Sequence, residues 1–299
     1  MAQITENKMK QLFKKVWETP PNKIYESVIK RLTFSISNQS YDYSLKSILQ
    51  SQKHMQTVSL MDRWERYFKV IENKTGDKNL KNKFNFRGKR IFELGCGPLF
   101  GWGPIAIFLG ADTYYYHEPA LEREVTLSQV LKEKYFSPLY KELMSEFSLN
   151  ISFSEFYDKV KSKCLPMDFN NVNNIDLILS NSVLEHIPFN DLDSLLSNLH
   201  KISNEKALYM HAVDFGSHGK GGSGFGSLYR ESNTTTNKIL SLLRKNDIEK
   251  CLIDNGFSLM HSIVYRSEVI DRNKIDPSWS DYSDIDLNSK TVFFIGGLK

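Results

Sequence analysis

The stretch that most limits how this chain can fold is Lys89-Arg90-Ile91-Phe92-Glu93-Leu94-Gly95-Cys96-Gly97-Pro98, with Gly101-Trp102-Gly103-Pro104-Ile105-Ala106-Ile107-Phe108-Leu109-Gly110 close behind. Apolar Ile91, Phe92 and Leu94 predict a short buried strand. The glycines predict a turn, and the apolar run after Gly103 predicts a helix that Gly110 stops. Glycines at such a turn let the backbone approach a ligand where a Cβ would collide, and they accept dihedrals other residues avoid. Glu93 argues against a turn built only for phosphate. Its carboxylate would repel a pyrophosphate and attract the ammonium group of an amino-acid-like ligand. An ordinary strand-to-helix corner reads the same way locally, so the matching parts have to come from later strands.

The next run, Ala111-Asp112-Thr113-Tyr114-Tyr115-Tyr116-His117-Glu118-Pro119, is β-rich and ends on a carboxylate. In a doubly wound sheet the carboxyl ends of adjacent strands share one crevice, which places Glu118 beside the glycine turn with its oxygens available to two ribose hydroxyls. Further strands are expected at 164–169, 175–181, 206–211, 259–265 and 290–295. Helices are expected at 6–17, 24–34, 44–52, 58–71, 121–135, 191–202 and 241–255. Residues 73–85 read as a polar, lysine-rich linker, and 136–162 as helical and aromatic, longer than a usual connection and suited to shaping an acceptor pocket. The glycine-rich run 215–225 is not regular structure. Lys220 within it could meet a phosphate, but the run lacks the spacing of a nucleoside triphosphate loop.

Glu-x-Gly-x-Gly, an acid closing the next strand, and Asp-Leu-Ile-x-Ser-x-x-Val-Leu-Glu-His-Ile at 176–187 together resemble the class I S-adenosylmethionine-dependent methyltransferases, over residues 86–299. Gly101-Trp102-Gly103-Pro104 and His211-Ala212-Val213-Asp214-Phe215-Gly216-Ser217-His218 resemble a bacterial subgroup often found near surface-polysaccharide genes. The resemblance implies a Rossmann-like α/β sheet of seven strands, the last one antiparallel, at 81–299, with an acceptor-side insertion at 136–163. The helical extension 1–80 would fold over the crevice as a lid. It further implies S-adenosylmethionine as cofactor, held by Glu93, Gly95, Cys96, Gly97, Glu118 and Ser180, with Asp168 on the adenine amino group. The acceptor would be a sugar hydroxyl of a surface glycan or its precursor. The family's usual third glycine, two residues after Gly97, is Leu99 here, so the turn is expected to differ locally. Asp168 reads equally well as a turn former.

Methyl transfer to a hydroxyl needs a base, and imidazole is the side chain best matched to neutral pH. Three histidines are candidates. His186 follows the fourth strand. His211, Asp214 and His218 form a His-x-x-Asp-x-x-x-His cluster after the fifth. Either His218 is the base with Asp214 orienting it, or His211, Asp214 and His218 hold a divalent ion; alternatively, His211 is simply a satisfied structural histidine. Two other functions fit the same parts: a small-molecule O- or N-methyltransferase of secondary metabolism, and a cofactor-binding protein without catalysis.

Composition narrows the partners. The 299 residues carry a net charge of +4 with no dense basic block among aromatics, which gives no reason to propose nucleic acid. There is no apolar run long enough for a membrane span and no signal-like start, so a cytoplasmic location is expected. Cys96, Cys164 and Cys251 are scattered, as reduced thiols would be, and Cys96 reads as a small filler within the turn rather than a nucleophile.

Overall fold

The structure, a computed structural model, describes residues 42–216, 225–230, 232 and 242–299. The helices expected at 6–17 and 24–34, and the candidates His218 and Lys220, lie outside the described residues.

Seven strands make one sheet: β1 Arg90–Leu94, β2 Thr113–His117, β3 Cys164–Pro166, β4 Ile175–Asn181, β5 Ser203–Asp214, β6 Phe257–Ser267 and β7 Ser289–Leu298. Their order is β3-β2-β1-β4-β5-β7-β6. Strands β1 to β5 pair in parallel. The last strand, β7, inserts antiparallel between β5 and β6. The chain runs outward from β1 to β3 and then returns to β4 on the other side of β1. The reversal opens a crevice at the carboxyl ends of β1 and β4.

Central parallel strands are covered on both faces, so their apolar residues divide by alternation. Ile91, Leu177, Leu179 and Met210 join one core layer. Phe92, Leu94, Ile178, Tyr209 and Val213 join the other. Glu93 therefore projects into the same layer as Ile91. Ser180 and His211 project into the same layer as Ile178 and Tyr209.

The helical segment ahead of the sheet departs from expectation in detail. The helix expected at 44–52 is split into α1 Leu45–Gln50 and a short turn Gln52–Met55. Ser51 causes the break: it closes the first piece and its hydroxyl caps the second, accepting from His54 N. Helix α2 spans Val58–Thr75 and stops at Gly76 in the left-handed region. The stretch 73–85 is no loose linker, because Leu80, Phe84 and Phe86 are buried in the core. Helix α3 is Gly103–Phe108, as the sequence predicts.

The single helix expected at 121–135 is also broken, into Arg123–Thr126, Gln129–Leu131 and a π-helical turn Lys132–Phe136, with Ser128 capping the restart. Helices α4 Ser137–Phe147 and α5 Phe153–Lys163 follow, then α6 Phe189–Ile202 and α7 Lys245–Asp254. Aromatic residues of α4 and α5 pack on Phe108 of α3. Among the described residues no helix is long and apolar enough to cross a membrane.

Candidate functional site

A cavity of about 430 Å³ lies over the carboxyl ends of β1, β2, β4 and β5, within the roughly 300–1,000 Å³ typical of small-molecule sites. Its floor is the turn after β1, including Gly95, Cys96 and Gly97. Glu118 enters from β2, Asn181 and His186 from the end of β4, and Asp214 from the end of β5. The opposite wall comes from the helical segment: Tyr43, Lys53, His54, Leu60 and Arg63. From the region expected to shape an acceptor pocket, only its neighbour Tyr135 reaches the cavity; α4 and α5 contribute no lining side chain.

Backbone geometry explains the glycines. Gly95 and Gly97 have φ of 71° and 70°, where L side chains are strained. A Cβ on Gly95 would sit 2.3 Å from Val183 Cγ2, so this glycine lets the β4 loop close against the turn. A Cβ on Gly97 would meet nothing within 4 Å; it would project into open space. That open face of backbone is what a bound ligand would cover. Phe100 takes the left-handed conformation beyond the turn, and Leu99, in place of the usual glycine, is buried while still lining the cavity.

Glu118 binds the two strand ends together. Its Oε2 accepts from Gly97 N at 3.0 Å and its Oε1 from Ala120 N at 3.4 Å. Burial pushes its carboxyl above the ordinary value, and the two N–H bonds hold it down. The second oxygen keeps acceptor capacity toward the cavity, since a carboxylate offers about four lone-pair sites.

Glu93 is placed differently from expectation. It is 3% exposed, does not line the cavity, and accepts hydrogen bonds from Trp102 N (3.0 Å) and the Tyr114 hydroxyl. Gly101 packs directly on its carboxyl, where a Cβ would approach within 2.4 Å. Burial raises its pKa to about 8, so the group is neutral near pH 7. The reason is strand alternation: position 93 faces the core layer under the turn. Glu93 braces the turn from beneath and offers no charge to a ligand's ammonium.

Ser180 and His211 form another such pair. They are register partners on β4 and β5, and Ser180 Oγ lies 2.8 Å from His211 Nδ1. His211 is 1% exposed, stacked on Tyr209 at 5.3 Å, and burial drives its pKa to about 3. Neither residue lines the cavity. A neutral imidazole inside the sheet is a structural histidine, not a base or a ligand of a cavity ion. Among the described residues no group of three or more His, Cys, Asp or Glu could hold a metal.

Asp168 is exposed and forms a turn, its carboxylate accepting from Asn170 N and Asn171 Nδ2 at 3.0 and 2.6 Å. It does not line the cavity. Cys96 does, and its buried thiol is held well above its ordinary pKa, the state of an inert filler. Asp214 accepts from Gly216 N at 2.9 Å, while its own N–H donates to the buried Glu185 at 3.3 Å.

Sequence reasoning missed the cations and the imidazole on the far wall. His54 lines the cavity with its Nδ1 buried and unpartnered, its ring edge-on to Tyr43, and burial together with Lys53 lowers its pKa. Lys53, His54 and Arg63 have no motif around them; they read as the polar side of amphipathic helices. Only the docking of α2 over the crevice reveals them.

No protein-family model matches the chain. No curated protein matches it either. Among solved structures, the chain is similar to the magnesium protoporphyrin IX methyltransferase of Synechocystis PCC 6803 with bound SAH, at 15% identity over 74% of this chain and 78% of that one, TM-score 0.39. A TehB-like SAM-dependent methyltransferase from Corynebacterium glutamicum aligns at 11% identity over 80% and 99% of the two chains, TM-score 0.37. An S-adenosylmethionine dependent methyltransferase from Mesorhizobium loti aligns at 14% over 71% and 92%, TM-score 0.36. At such identities and scores the alignments decide neither cofactor nor substrate.

Proposed function

We propose that this chain is an S-adenosylmethionine-dependent methyltransferase that methylates a hydroxyl, most plausibly that of a sugar in a surface glycan or its precursor. The observation that carries the cofactor reading is the joint geometry of Gly97 and Glu118. An open glycine backbone at the end of β1 is tied by one hydrogen bond to a carboxylate at the end of β2, and both face one cavity. That cradle fits a nucleoside whose ribose hydroxyls donate to Glu118 and whose tail crosses the turn. The sugar acceptor is drawn only from the resemblance of residues 101–104 and 211–218 to the polysaccharide-associated subgroup.

When bound, the cofactor supplies an electrophilic methyl group, so the protein's work is to hold the acceptor in line and take its proton. Side chains from both walls are available for this. His186 and Asp214 project from the sheet side and His54 from the helical side. A positioned base contributes on the order of 10²–10⁴-fold. His54, kept neutral by burial, has a free lone pair at Nδ1 for an acceptor hydroxyl. In this reading the helical segment acts as the lid over the crevice.

The test is calorimetric. S-adenosylhomocysteine should bind the intact chain, and Glu118→Ala should weaken it about tenfold or more, as expected for losing hydrogen bonds to a charged acceptor. Unchanged affinity would remove Glu118 from the site; absence of binding to the unaltered chain would end the cofactor reading. Binding without methyl transfer to any of a panel of sugars, nucleotide-sugars, phenols and amines would favour the non-catalytic alternative.

A further inference from the structure

We propose that Arg63, carried on α2 ahead of the sheet, binds the carboxylate of the cofactor's amino-acid tail, so that the cofactor site is completed by the helical segment; the inference rests on the S-adenosylmethionine reading above. The cavity has two differently charged ends. Glu118 stands at the β2 end, where its N–H partners are Gly97 and Ala120. Arg63 lines the same cavity as Gly101, the residue packed on the Glu93 carboxyl. Its positive charge opposes the burial of Glu93, whereas the groups acting on Glu118 are its own backbone donors. Arg63 thus belongs to the end of the turn away from the nucleoside carboxylate.

The ligand's own chemistry has the same polarity. A ribose diol wants an acceptor at one end, and an α-carboxylate wants a cation at the other. Glu93, neutral and walled off, does not supply charge to the amino-acid end, which leaves Arg63 as the ionised side chain there. Among the described residues Arg63 forms no hydrogen bond or ion pair, so its guanidinium donors are uncommitted. Lys53 also lines the cavity but is exposed, whereas Arg63 is half-buried. A partly desolvated guanidinium holds a carboxylate in two parallel bonds; an exposed ammonium is strongly hydrated and competes poorly.

The experiment compares two ligands that share the nucleoside and differ in the amino-acid tail, S-adenosylhomocysteine and 5′-deoxy-5′-methylthioadenosine, by titration calorimetry on the full chain. Arg63→Ala should weaken S-adenosylhomocysteine by about 10- to 100-fold and leave methylthioadenosine unchanged; Arg63→Lys should recover part of the loss. Wild-type affinity of Arg63→Ala for S-adenosylhomocysteine overturns the proposal. So does an equal loss for both ligands, which marks a structural role, or a selective loss in Lys53→Ala instead. If the unaltered chain binds methylthioadenosine but gains nothing from the amino-acid tail, Arg63 is excluded while the nucleoside site stands. If it binds neither ligand, the cofactor reading fails and takes this one with it.

Discussion

Glu93 and Glu118 carry the same carboxyl group into two environments, and each environment has a measurable consequence. Glu93 is sealed under the turn with its pKa raised to about 8, against 4.5 for an ordinary glutamate. Between those values the unfolded chain ionises this group while the folded chain keeps it protonated. Its contribution to stability is therefore complete below about pH 4.5 and lost as pH rises to about 8. Glu93→Gln should flatten that slope, making the variant more stable relative to wild type at pH 8.5 than at pH 5, by on the order of a few kcal/mol; parallel urea titrations at the two pH values check it. The two turn glycines separate in the same way. Gly95→Ala meets both a positive φ and Val183 at 2.3 Å, whereas Gly97→Ala meets only the φ. Gly97→Ala should cost roughly 1–2 kcal/mol of stability and impair S-adenosylhomocysteine binding, because its methyl enters the cavity. Gly95→Ala should cost more in stability, measured by denaturant midpoint.

Helix α2 works through both of its faces. Leu60 and Arg63 look into the cavity, while Trp64 packs on Trp102, Phe68 and Phe86 with ring centroids 4.9 to 5.2 Å away. Trp102 is also the residue whose N–H holds Glu93, so the back of the helix is locked to the element that shapes the turn. One turn on, Tyr67 donates to Asn181 Oδ1 at 2.6 Å and packs on Phe293 of β7. That bond ties the helical wall to a lining residue at the end of β4. Tyr67→Phe keeps the ring and removes the bond; it should cost about 1 kcal/mol and weaken S-adenosylhomocysteine by less than tenfold. An affinity loss as large as that of Glu118→Ala would show that Tyr67 acts on the ligand more directly than through Asn181.

Across the whole molecule, the strand-turn-helix at 90–108 and the apolar strand runs were legible because strands buried on both faces write themselves as near-continuous apolar segments. The glycine turn, the acid at 118 and the sheet order with an antiparallel last strand followed from local patterns and from the resemblance they carried. Breaks at Ser51 and Ser128 were not legible, since a serine cap looks like any surface serine until the helix restarts behind it. The burial of Glu93, Ser180 and His211 was decided by which side of the pleat each position faces once neighbouring strands are in register. Asp168 sits at the end of the strand where an acid was expected, yet its carboxylate is spent on its own turn. Sequence alone determined the scaffold and the ribose-facing carboxylate, because both depend on short-range spacing and on alternation along single strands. Tertiary structure alone decided which charges meet a ligand, because Arg63, His54 and Lys53 reach the crevice only when a helix distant in sequence docks across the ends of the strands.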